Sequence, residues 1–157
     1  MKQDRFLTGI LIGIAVLVVV ALVVFFMRKD NLVYVTDDNP AGVVQNYVVA
    51  LHKHDYEKAY SYLADLPNKP AMEQFQQSFL SHNVDPTNTA LELGKVEIAD
   101  KSATVELSTN NAPADPFSRG YRNSDYAQLI NQNGAWKLKQ MPYNYWAYDW
   151  YAPTPKP

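Results

Sequence analysis

The sequence predicts an α+β fold: an N-terminal single transmembrane helix followed by three helices packed on a curved antiparallel sheet. Three observations predict it. Residues 6–27 carry no charge and are dense in Val, Leu, Ile and Phe. Residues 40–81 repeat their apolar side chains at helical spacing, whereas residues 91–141 read as paired alternating runs around turn residues. A helical half followed by a strand half is the order of an α+β domain.

The uncharged run has 22 residues, which at about 1.5 Å each reach roughly 33 Å, enough for a hydrocarbon core of about 30 Å. It is longer than the roughly 7–15 apolar residues of a signal peptide and ends in Phe25-Phe26-Met27-Arg28-Lys29, without a small-x-small cleavage site. Residues 1–29 are therefore expected to form a short cytoplasmic tail and an uncleaved anchor. Lys2 and Arg5 before the run nearly balance Arg28 and Lys29 after it. The brevity of the leading tail favours a cell-membrane protein with a cytoplasmic N-terminus and an extracytoplasmic domain. Gly9 and Gly13 form a GxxxG spacing, a place for close approach of a second helix.

Residues 30–38 read as a juxtamembrane linker, with Tyr34 as an interfacial aromatic. Asn39 caps and Pro40 opens an amphipathic helix over residues 40–53, with Val44, Tyr47, Val48 and Leu51 recurring on one face. Asp55 caps a second helix carrying Tyr56, Ala59, Tyr60 and Leu63, which Pro67 and Pro70 end. A third runs over about residues 70–81 and buries Met72, Phe75 and Phe79. A hairpin then pairs Leu91, Leu93, Val96 and Ile98 with Ala103, Val105 and Leu107, turning at Asp100-Lys101-Ser102, with Gly94 marking a bulge or bend. Residues 108–124 read as a long loop. A second hairpin joins residues 125–131 and 135–141 around Gln132-Asn133-Gly134. The α+β domain would span residues 39–142 and leave residues 143–157 as an aromatic and proline-rich tail.

Beyond the anchor about 130 residues remain, one domain's length. That part carries ten Lys and Arg against fifteen Asp and Glu, so it offers no attraction to nucleic acid or anionic lipid. With no cysteine, thiol nucleophiles, thiolate zinc sites and cluster ligation are excluded. There is no P-loop, dinucleotide fingerprint, Gly-x-Ser-x-Gly or His-Glu-x-x-His. No cofactor and no metal are expected.

The order Pro40-Ala-Gly-Val-Val-Gln-Asn-Tyr47, Asp55-Tyr-Glu-Lys-Ala-Tyr-Ser-Tyr-Leu63, Phe75 and Asn133-Gly-Ala-Trp-Lys-Leu138 resembles the nuclear transport factor two-like (cystatin-like cone) superfamily. It is most similar to the bacterial membrane-anchored, extracytoplasmic members of unknown function. The resemblance spans roughly residues 39–142 and implies a cone of helices wrapped by a curved sheet. Catalytic relatives imply pocket isomerases, dehydratases or cyclases, but no position here matches a catalytic motif. Tyr60, Tyr62, His82, Asp125 and Tyr126 are the polar groups available, and Tyr60 is the one expected to face inward.

His52 and His54 form a His-x-His pair beside Asp55. Two residues apart on a helix, they diverge and cannot share a metal unless the helix has ended. The densest feature is residues 143–151, six aromatics in nine. Tyr143, Tyr145, Trp146, Tyr148, Trp150 and Tyr151 offer contact area with polar tips, suited equally to an internal cap or a partner interface. The expectation for function is a non-catalytic accessory subunit of a bacterial membrane complex, such as a respiratory or photosynthetic assembly of the alternative complex III kind. It would bind other subunits through Gly9, Gly13 and the aromatic tail, with the lipid bilayer as second partner. The alternatives are a small-ligand-binding or sensing domain, and a pocket isomerase or dehydratase.

Overall fold

The computed structural model describes residues 5–27, 32–87, 89–111 and 121–153. It divides into two units, 1–32 and 33–157. The first holds one helix, α1 (Arg5–Met27). Its described side chains, residues 8–23, are all exposed, and they are apolar on every face apart from Thr8 and the glycines. Among the described residues no helix is long and apolar enough to cross a membrane. Sixteen residues rise only about 24 Å at roughly 1.5 Å each. The full expected span is thus not among the described side chains.

The second unit begins with α2 (Pro40–His52), which starts as its residues dictate. Asn39 Oδ1 accepts from the Gly42 amide at 2.9 Å, and Pro40 occupies the first turn. It closes with a Schellman arrangement: His54 takes φ 57°, its N–H donates to the Leu51 carbonyl, and the Asp55 N–H reaches the Ala50 carbonyl. Instead of one buried stripe, α2 buries almost every residue from Pro40 to Leu51. The cause is the segment before it. Asn46 clasps Val35 with both amide atoms, accepting from its N–H at 2.8 Å and donating to its carbonyl at 2.7 Å. Tyr34 lies under the Lys53 ammonium, 4.6 Å from ring to nitrogen, and packs on the core. The expected linker is therefore fastened to the domain from residue 33 onward.

Asp55 caps α3 (Tyr56–Ser61), accepting from the Lys58 amide at 3.1 Å. This helix stops earlier than its periodicity suggests because Tyr62 closes it as a C-cap and Leu63 bridges to the last strand. The Leu138 N–H donates to the Tyr62 carbonyl, and the Ala64 N–H to the Leu138 carbonyl. α4 (Met72–Leu80) buries Phe75 and Phe79.

Four strands follow: β1 (Thr89–Ala99), β2 (Ser102–Asn111), β3 (Tyr121–Gln132) and β4 (Ala135–Gln140). They form an antiparallel meander in sequence order. Between Leu93 and Val96 the register slips, so Gly94 and Lys95 oppose Glu106, and the expected bulge is present. A Cβ at position 94 would sit 3.2 Å from the Glu106 backbone oxygen, which explains the glycine. Asn133 (φ 56°) and Gly134 (φ 85°) make the tight turn before β4. The expected 108–124 loop is shorter than it reads, because β2 runs on to Asn111 and β3 starts at Tyr121, pairing Asn111 with Tyr121. Residues 112–120 lie outside the described residues. Val105, Leu107, Ala127, Leu129 and Leu138 turn one sheet face onto α2, which touches β1, β2 and β4.

Candidate functional site

The chain after β4 divides its aromatics between core and surface. Pro142 stops the strand, and its carbonyl accepts from the Tyr145 N–H at 2.8 Å, turning the backbone inward. Tyr145, Trp146 and Trp150 are buried, Tyr151 is half-buried, and Tyr143 and Tyr148 are exposed, Tyr148 almost fully at 99%. The buried members lock to the helices. The Tyr47 hydroxyl donates to the Tyr145 carbonyl at 2.8 Å. Trp150 lies 4.9 Å from Phe75 and meets Phe79 edge-on at 5.9 Å, while Trp146 crosses Trp150 at 5.0 Å. Tyr151, at φ 61°, stacks on Trp146 and donates its hydroxyl to the Ala64 carbonyl at 2.6 Å. The Trp150–Phe79 and Trp146–Trp150 pairs are edge-on and Trp146–Tyr151 is stacked, the geometries that aromatic quadrupoles favour, while Trp150 and Phe75 are tilted by 32°.

Burial pushes the Tyr47, Tyr145 and Tyr151 phenols well above their ordinary range. All three therefore remain neutral at physiological pH, and Tyr47 and Tyr151 keep the protons they donate. Around the segment opens a groove of about 1140 Å³, lined among others by Pro67, Asn68, Lys139, Tyr143, Tyr148 and Trp150. The Trp150 indole N–H is buried and has no hydrogen-bond partner among the described residues. An orphaned donor of this kind costs about 1–3 kcal/mol. The surface thus offers two exposed phenols, a lysine and Asp149 at the rim, with indole rings beneath.

The other residues read from the sequence are dispersed. At Gly9 and Gly13 an added Cβ would meet nothing within 4 Å, so the α1 backbone is bare there. Tyr60 is only half-buried, and its hydroxyl donates to the Pro70 carbonyl. Tyr62, more deeply buried at 4%, donates to Asp37 at 3.3 Å, and it is Tyr62 rather than Tyr60 that faces inward. Asp125 accepts from the amide of its neighbour Tyr126, whose ring is exposed. His82 sits far along the chain from His52 and His54, yet all three imidazoles line one cleft. Among the described residues no group of three His, Cys, Asp or Glu is placed to hold a metal ion. Asn46, which sequence reasoning passed over, ties Val35 to α2, and the hydroxyl of Tyr47, read from the sequence only as part of an apolar face, reaches the Tyr145 carbonyl 98 residues away. Their signal was a polar group in an otherwise apolar helix.

No family model matches the chain, and no curated protein does. Several solved structures are similar. One is the solution structure of a SEC-C motif containing protein from Rhodopseudomonas palustris, at 10% identity and TM-score 0.48, covering 68% of this chain and 79% of that one. A second is an uncharacterised cystatin-fold protein from Novosphingobium aromaticivorans, at 10% identity and TM-score 0.42, covering 62% and 95%. A third is an NTF2-like protein of unknown function from Pseudomonas putida, at 13% identity and TM-score 0.45, covering 65% and 80%. The α+β architecture rests on the elements and strand register described above.

Proposed function

We propose that the chain is a non-catalytic, single-pass accessory subunit of a bacterial membrane complex. The observation that carries this reading is α1. A helix apolar on every face, with its described side chains all exposed, requires lipid or protein around it. The uncharged run over residues 6–27 supports an anchor with the domain outside the cell membrane. Bare backbone at Gly9 and Gly13 supports a helix neighbour. Outside the bilayer, Tyr143 and Tyr148 are the docking residues, while Tyr145, Trp146 and Trp150 hold the segment that presents them. Respiratory or photosynthetic electron-transfer assemblies of the alternative complex III kind are the hosts to test first. The dispersal of Tyr60, Tyr62, Asp125 and Tyr126 into separate hydrogen bonds or solvent supports a role without catalysis.

The orphaned Trp150 N–H beneath the groove supports a second reading, a ligand with an acceptor oxygen bound on the same surface. Co-purification from native membranes in mild detergent separates the two. The full chain is expected to bring partner subunits with it. The Tyr143→Ala/Tyr148→Ala double variant is expected to lose them about tenfold, with stability within about 0.5 kcal/mol of the parent. A chain that runs alone, or a double variant that retains its partners, rejects the docking role.

A further inference from the structure

A second site lies away from the aromatic segment, at the far ends of two helices. Both α2 and α4 end in a histidine in the left-handed region, His54 at φ 57° and His82 at φ 58°. Glycine or asparagine is the ordinary residue at that position. The His82 N–H closes α4 on the Phe79 carbonyl at 3.1 Å, as the His54 N–H closes α2 on Leu51. These two caps, with His52 in the last turn of α2, bring every histidine in the sequence to the lining of one cleft. Its walls are Leu51, Phe79 and Val84, with Tyr56 stacked on Phe79 at 5.7 Å. The volume is about 210 Å³, roughly seven water molecules at about 30 Å³ each and below the 300–1,000 Å³ of drug-sized sites.

Among the described residues, the titratable groups lining this cleft are the three histidines, Tyr56 and Asp85, with no lysine or arginine. The His54 ring and the Tyr56 hydroxyl are 3.2 Å apart. Asp85 is engaged within its own turn, where the Thr87 amide and hydroxyl both donate to its Oδ1. Those bonds hold its carboxyl below the usual carboxylate range. One committed carboxylate gives a cation little to bind. The three histidines bring imidazole rings to the lining of an apolar hollow, a setting that complements a molecule with a greasy body and an acceptor-only head.

We propose that this cleft binds a small monocarboxylate with an apolar body, a single aromatic ring or a short acyl chain, its carboxylate on the imidazoles. The site is independent of the docking surface and stands or falls separately from it. The test titrates benzoate into the full chain, reading histidine side-chain resonances, with toluene and benzylammonium as neutral and cationic probes. Saturable benzoate binding is expected. The His54→Asn/His82→Asn variant keeps residues that tolerate the left-handed caps and should weaken benzoate about tenfold, roughly the loss of one charge-assisted hydrogen bond. Asp85→Asn removes the like charge and should tighten it. Benzoate that leaves the histidine resonances unmoved, benzylammonium that binds as well, or a histidine variant that folds and binds like the parent would overturn the proposal.

Discussion

At the scale of single residues, buried polar side chains tie together parts of the chain that are remote in sequence. Tyr47 is fully buried, and its hydroxyl is the hydrogen-bond donor to the Tyr145 carbonyl, 98 residues away. Tyr47→Phe keeps the ring and strands that carbonyl, so it should cost about 1–3 kcal/mol in denaturant unfolding. A matching pH dependence follows from the phenols. In the folded state the pKa values of Tyr47, Tyr145 and Tyr151 are raised by burial, above an unfolded value of about 10. Between those values the native state holds more protons than the unfolded one, so stability falls as pH rises. Their contribution is fully present below about pH 10 and is lost as pH climbs through the raised folded values. The share of tyrosinate absorbance that these three phenols contribute should appear together with the loss of circular dichroism; its appearance ahead of unfolding would contradict their burial.

At the scale of elements, what was legible in the sequence is what closes over three or four residues. Asn39 with Pro40, Asp55, and the Asn133-Gly134 turn each satisfy their bonds locally, and each lies where it was read. Three features were not legible, because their causes are remote. α3 ends early on account of Leu138, α2 is buried all round on account of Val35, and β2 and β3 lengthen by pairing with each other into a polar stretch. The proposed docking surface was half legible: its aromatic density stands in the sequence, but which rings face outward depends on Tyr47 and Phe75. Gly42 shows how closely the entry to α2 is packed. A Cβ there would overlap the Thr36 carbonyl oxygen. Gly42→Ala should therefore destabilise by more than the roughly 1 kcal/mol expected for Asn39→Ala, and paired urea melts of the two variants check the order.

At the scale of the whole molecule, the sheet has two edges that are managed differently. The β4 edge is occupied by residues 62–64. The β1 edge carries a bulge and the exposed Lys95–Glu97 pair, features that discourage strand addition. The core between helices and sheet is completed by the C-terminal segment. A chain ending at Met141 loses Tyr145, Trp146 and Trp150, each worth about 3–5 kcal/mol as a buried large aromatic, against a domain stability of about 5–15 kcal/mol. It should show no cooperative thermal transition by calorimetry, while Tyr148→Ala melts like the parent. The order of synthesis adds a different consequence. Tyr47 emerges from the ribosome 98 residues before the carbonyl it will bond, an interval of roughly 5–20 s at about 5–20 residues per second. Phe75 and Phe79, once made, wait a further 75 and 71 residues for the indole of Trp150 that will cover them. The nascent domain is therefore sticky until its last turns are made, and its window for capture by chaperones, or by neighbouring chains, is set by translation speed rather than by the stability of the finished fold.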